Sequence, residues 1–163
     1  MKRLLLVTCA LLLLAGCGDE AASKKFDVSL YVGTYVGTWT NSATGATGAA
    51  RIEIAADTAA RTASLTIDFD GNYLGLDNPP AMALSGVYDD DKATVKGQSE
   101  LFGAYDVTID ADGKIVGVMK GLAGGLIPEM TYTGALTRDR LDADYTVKFA
   151  DGRVVNSILR MEK

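Results

Sequence analysis

With no histidine anywhere and no cysteine beyond position 17, the body of this chain cannot build the nucleophilic triads that use them, thiol catalysis, or structural zinc of the His/Cys type. Carboxylates are the remaining candidates for acid–base work. Glu53, Glu100 and Glu129 stand alone, while most Asp positions fall in short Asp/Gly segments where turn formation is a sufficient explanation. Asp68-x-Asp70-Gly71 and Asp110-x-Asp112-Gly113 carry part of a calcium-loop pattern. Taking Gly113 as the sixth position puts Thr108 first and Met119 twelfth, where that loop needs Asp and a bidentate Glu. Both segments, and Asp89-Asp90-Asp91, therefore read as hairpin turns. No catalytic residue, cofactor or metal ligand is assigned, and the chain is expected not to be an enzyme.

The stronger pattern is apolar. Tyr35, Trp39, Phe69, Met82, Leu84, Tyr88, Tyr105, Met119, Met130, Tyr132, Tyr145 and Phe149 fall on the inward face of alternating segments. Gly33, Gly37, Gly86 and Gly134 share that face and contribute no side-chain volume. Such a face builds either a packed core or a ligand cavity, and a drug-sized ligand would need roughly 300 Å³ or more. Two connections are also apolar. Residues 71–81 contain Tyr73, Leu74 and Leu76, and residues 121–129 contain Leu122, Leu126 and Ile127. Leucines in Gly-rich loops either gate a ligand, grip a partner or fold over one end of the domain. Up-and-down alternation allows both loops to share one rim.

The elements that must position these residues are strands. Leu65, Ile67 and Phe69 alternate with Thr66 and Asp68, and Ala143, Tyr145, Val147 and Phe149 alternate with Asp144, Thr146 and Lys148. Each segment thus has one wet and one buried face, an antiparallel pattern. Strands are expected near 31–40, 50–56, 62–70, 81–88, 92–97, 98–102, 104–110, 114–120, 130–137, 140–150 and 153–161, with the fifth and sixth open to being one strand bulged at Gly97. Short turns such as Asp151-Gly152 join consecutive strands as hairpins. A sheet of about 8–10 such strands with one apolar face should close into an antiparallel up-and-down barrel, which removes exposed edges. A two-sheet β-sandwich is the alternative.

The first residues carry an address. Lys2 and Arg3 precede an apolar run, residues 4–14, and the small pair Ala15-Gly16. This is the layout of a signal peptide, and the run is short of the roughly 20 apolar residues a permanent span needs. Leu14-Ala15-Gly16-Cys17 resembles the lipobox of bacterial lipoproteins. The resemblance implies that residues 1–16 are removed and that Cys17 becomes the acylated first residue, several chains on one residue making a durable tether. Gly18 rather than Asp follows the Cys, which in that family implies an outer-membrane address, with the domain on the periplasmic face. Residues 17–25 are small and polar and read as the lipidated N-terminus and tether, leaving 26–163 as the barrel domain. Acidic residues outnumber basic ones, 21 to 16, which argues against nucleic acid as a partner.

Gly37-Thr38-Trp39, early in the first strand, resembles the Gly-x-Trp motif of lipocalins and related calycin barrels. In that family the Trp sits at the closed end of the barrel with an Arg of the last strand packed over it, a place that Arg160 can take only if it shares the inward face. The resulting expectation is a lipid-anchored, lipocalin-like module that binds a small apolar ligand, the inward aromatics and methionines forming its wall. The alternative is an envelope structural or protein-binding module, an accessory subunit or inhibitor, that uses the same rim loops.

Overall fold

The alternation in the sequence is realised as one continuous meander. The computed structural model describes residues 24–99, 103–122 and 125–163. In chain order the strands are β1 (Gly33–Asn41), β2 (Thr47–Asp57), β3 (Thr62–Phe69), β4 (Asn72–Tyr73), β5 (Leu76–Asp77), β6 (Met82–Tyr88), β7 (Lys92–Ser99), β8 (Gly103–Asp110), β9 (Lys114–Leu122), β10 (Ile127–Leu136), β11 (Arg140–Lys148) and β12 (Val154–Glu162). Ten of them form a closed antiparallel barrel in the order β1-β12-β11-β10-β9-β8-β7-β6-β3-β2, while β4 and β5 pair only with each other. Closure rests on the β1–β12 ladder, from Val36↔Glu162 to Asn41↔Ser157. That seam excludes the sandwich.

Side chains one apart face opposite ways in a strand. Leu141, Ala143, Tyr145 and Val147 of β11 are accordingly buried, while Arg140, Asp144 and Lys148 are exposed. Ile52 and Ile54 of β2 are buried between exposed Arg51, Glu53 and Ala55. Each large aliphatic side chain removed from water in this way contributes about 1.5–3 kcal/mol. Gly37 lies at the closing seam, where a Cβ would come within 2.0 Å of the Arg160 carbonyl oxygen. Its lack of a side chain lets the first and last strands meet. Of the two readings of the inward glycines, Gly37 follows the packed one.

One end of the barrel is sealed by the N-terminal segment. Asp27 caps a single 3-10 turn, Val28–Leu30, by accepting from the Ser29 N–H. Phe26, Val28 and Tyr31 are buried across this end, and the Phe26 N–H donates to the Asp90 carbonyl at 2.7 Å. Tyr35 Oη lies 3.1 Å from the Thr137 carbonyl and 3.2 Å from that of Tyr31, so its proton ties the plug to the strand ends. Lys24–Asp112 and Lys25–Asp90 ion pairs flank it.

The opposite end carries both apolar connections, as alternation allowed, but neither is an open loop. Residues 70–81 contain the β4–β5 hairpin, whose two central residues, Leu74 and Gly75, both have positive φ, +55° and +87°. This is the signature of the type I′ turn, which suits a two-residue hairpin. At the other connection the strands run further than the sequence suggested. Leu122 belongs to β9 and Ile127 to β10, the two are paired, and both are buried. Met119 and Leu122 are three residues apart and both buried, a step that strict alternation forbids. Gly121 lies between them at φ +73°, a conformation a side chain would resist, and it supplies the extra twist.

Two further expectations are corrected. β7 crosses Gly97 without a bulge, its register with β8 running in step from Lys92↔Asp110 to Ser99↔Gly103. Arg160 pairs across from Thr38, not Trp39. It faces solvent, donating to Asp144 at 2.8 Å and to the Ala143 carbonyl at 2.9 Å. The inward face of β12 is the one that carries Ser157, Leu159 and Met161, so no Arg of the last strand covers the Trp. A cation does lie over a first-strand aromatic at the N-terminal plug, where Lys163 Nζ stands 5.4 Å from the Tyr35 ring centroid.

Candidate functional site

The interior is not completely filled. A cavity of about 110 Å³ runs along the barrel axis and exposes almost no polar surface. Its wall comes from nearly every barrel strand: Ile52 and Ile54, Leu65, Ile67 and Phe69, Met82 and Leu84, Val95, Val107 and Ile109, Ile115 and Met119, Tyr132 and Leu136, Leu141 and Ala143, and Leu159. Tyr73, from the β4–β5 hairpin, completes it. The space is well under the roughly 300 Å³ of a drug-sized site. It is close to the scale of an engineered apolar cavity of about 150 Å³ that stays dry and takes benzene.

Tyr73 is the lid of this cavity. Its ring stacks on Phe69 with centroids 4.1 Å apart and planes at 19°. Trp39 meets it edge-on at 5.4 Å and 77°. Trp39 is in turn fixed by its Nε1–H, which donates to the Asp70 carbonyl at 2.8 Å, so β1 holds the start of the excursion that carries Tyr73. Gly48 makes the fit possible, since a Cβ there would lie 2.5 Å from Trp39 Nε1 and 2.1 Å from the Asp70 oxygen.

Of the residues singled out as a ligand wall, Phe69, Met82, Met119 and Tyr132 line the cavity. Trp39 sits behind the lid. Tyr145 and Met130 are buried beside the lining, and Tyr105 lies across β7, where its hydroxyl would meet a Cβ on Gly97 at 2.4 Å. Tyr35 and Tyr88 belong to the N-terminal plug, Tyr88 being 6.1 Å from the Phe26 ring. Phe149 is at the rim under the Arg153 guanidinium, 4.8 Å away. Among the rim residues Tyr73, Leu122 and Ile127 turn inward, Leu74 and Leu76 are half-buried, and only Leu126 is exposed. Cys17 lies outside the described residues. The aliphatic wall from β2, β3, β8 and β9 was missed because isoleucine and valine at alternating positions look the same in a packed core.

One corner of the interior is polar. Tyr73, Tyr132 and Tyr145 gather there, with Tyr145 ring centroids 6.1 Å from Tyr73 and 6.0 Å from Tyr132. Ser157 is the buried polar residue beside them. Tyr132 Oη donates to Met119 Sδ at 2.7 Å. Burial, reinforced by the neighbouring phenols, pushes the Tyr73 hydroxyl well above the usual tyrosine range, and burial does the same to Tyr132. Tyr145 is raised by burial and partly restored by the nearby Tyr73 and Ser157 hydroxyls.

No known family model and no curated protein matches the chain. The turn carboxylates have local work. Asp110 accepts from the N–H groups of Asp112 and Lys114, and Asp89 from those of Asp91 and Lys92.

The wall has a weak seam. The β6–β7 ladder runs only from Gly86↔Val95 to Tyr88↔Ala93, whereas its neighbours β3–β6 and β7–β8 pair over most of their length. Above Gly86 the two strands separate. Met82 and Leu84 on one side and Val95 on the other face the cavity, so the splayed strands bound it directly.

Proposed function

We propose that this chain is a non-enzymatic, lipid-anchored barrel that binds a small apolar molecule in its interior. The observation that carries the reading is the interior cavity, walled almost entirely by apolar side chains from nearly every strand of a closed barrel. Its size points to a single ring or a short alkyl chain. The thioether side chains of Met82 and Met119 can re-pack around such a guest. A longer occupant, such as a fatty acid, requires the Tyr73 hairpin to swing away.

The anchor is the lipid on Cys17, and the address the outer membrane, on the resemblance of Leu14-Ala15-Gly16-Cys17 to a lipobox and on Gly18 after it. The chain enters the barrel through the N-terminal plug, at the end opposite Tyr73, so the lid and the tether do not compete for space. The protein-gripping alternative has less surface to draw on: of the rim side chains expected to form it, Leu126 is exposed and Leu74 and Leu76 are half-buried.

Extraction of the natively purified protein, followed by mass spectrometry, tests the binding reading. A stoichiometric small apolar compound supports it, and a clean protein that also refuses apolar probes overturns it. Fractionation of cells expressing Cys17→Ser tests the anchor, with loss from the membrane fraction expected and unchanged membrane association contradicting it.

A further inference from the structure

The cavity has one polar corner, and that corner selects the ligand. Resting on the binding reading above, we infer that the guest is a neutral molecule with an apolar body and one oxygen acceptor, such as a ketone or an alcohol, received by the hydroxyls of Tyr73, Tyr132 and Tyr145. Tyr145 is 4% exposed, and its hydroxyl, with those of Tyr73 and Ser157 nearby, meets no described group at good hydrogen-bonding geometry. A buried hydroxyl left unsatisfied is destabilising, and a guest that satisfies it recovers that loss. Tyr132, on the cavity wall, spends its proton on a thioether sulfur, Met119 Sδ, which is a weak acceptor. Tyr132 lines the cavity, and Tyr145, which does not, packs its ring beside those of Tyr73 and Tyr132.

The same corner disfavours an anion. None of the described residues lining the cavity is charged. Arg160 and Lys148, on the strands that carry Tyr145 and Ser157, point to solvent and are engaged by Asp144 and Glu129. A carboxylate drawn inside would be an uncompensated buried charge, which is far costlier than a neutral group. A carbonyl oxygen carries no such penalty and accepts from phenol donors.

Three probes of one shape separate the possibilities: toluene, acetophenone and benzoate, titrated calorimetrically into the purified protein at neutral pH. Acetophenone should bind about three- to tenfold more tightly than toluene, the net worth of one hydrogen bond, and benzoate should not bind. Tyr145→Phe should fold normally, since it keeps the buried ring and removes only the hydroxyl, and should bring acetophenone down to the toluene level while leaving toluene unchanged. Tyr132→Phe should lower the acetophenone preference in the same way. Equal binding of toluene and acetophenone would overturn the inference and leave the binding reading standing, the corner then holding an ordered water only. Binding of benzoate as tight as that of acetophenone, or an undiminished preference in both variants, would also overturn it. Failure of all three probes would remove the binding reading and this inference together.

Discussion

Tyr73 stacks on Phe69 at 4.1 Å, although the first belongs to a hairpin outside the barrel ladder and the second ends a barrel strand. This contact converts an excursion of the chain into a lid. Tyr73→Ala should cost about 3–5 kcal/mol, the range for removing a large buried aromatic, and should speed ligand exchange. Tyr73→Phe keeps the stack and should retain nearly full stability. Denaturant melts of the two variants, read beside ligand off-rates, check the pair.

Trp39 is the single tryptophan and sits against the lid, so its emission reports on the closed state. Trp39→Phe removes the donor to the Asp70 carbonyl and leaves that part of the rim without its tie, a loss of about 1–3 kcal/mol. Arg160→Ala removes solvent-facing ion pairs with Asp142 and Asp144, worth at most about 1 kcal/mol, and hydrogen bonds to the Ala143 and Leu159 carbonyls. It should leave the tryptophan spectrum unchanged, where an Arg packed on the indole would have shifted it.

Alkali should unfold the protein through its buried phenols. Tyr73, Tyr132 and Tyr145 are all raised by burial above the ordinary value of 10.0. Below pH 10.0 they are neutral in both folded and unfolded chains, and the stability they confer is complete. As pH climbs from there toward the raised folded values, the unfolded chain ionises and the barrel does not, so stability falls. Tyrosinate absorbance from these three should therefore appear together with loss of the β-sheet circular dichroism, and their ionisation in an intact barrel would refute this.

The seam between β6 and β7 should be the most labile part of the wall. For the amides that face the gap, exchange is expected to be faster within residues 82–85 and 96–98 than within 86–88 and 93–95, where the ladder is closed. Uniform protection along both strands would mean that the gap does not open.

Most barrel strands were legible because a half-buried strand advertises itself by strict alternation, as Leu141 to Val147 do. The departures occur where that rule is broken for a local reason. Leu122 and Ile127 looked like loop residues because Gly121, with its positive φ, reverses the face between Met119 and Leu122, and because Pro128 lacks the N–H expected of a strand. The N-terminal plug went unread because a single 3-10 turn has no periodicity. Tyr73 was visible as a rim residue, but its insertion between Phe69, Trp39 and Tyr145 depends on long-range contacts. The gathering of three hydroxyls is hidden for the same reason: β10, β11 and the excursion reach one corner only after the barrel has closed.

The central claim is that a small apolar molecule occupies the barrel interior, and methyl-detected NMR during a titration with toluene tests it most directly. The Sδ-methyl signals of Met82 and Met119, which line the cavity, should shift saturably while that of the exposed Leu126 stays fixed. Shifts confined to Leu126 and its rim, or none at saturating toluene, would contradict the account.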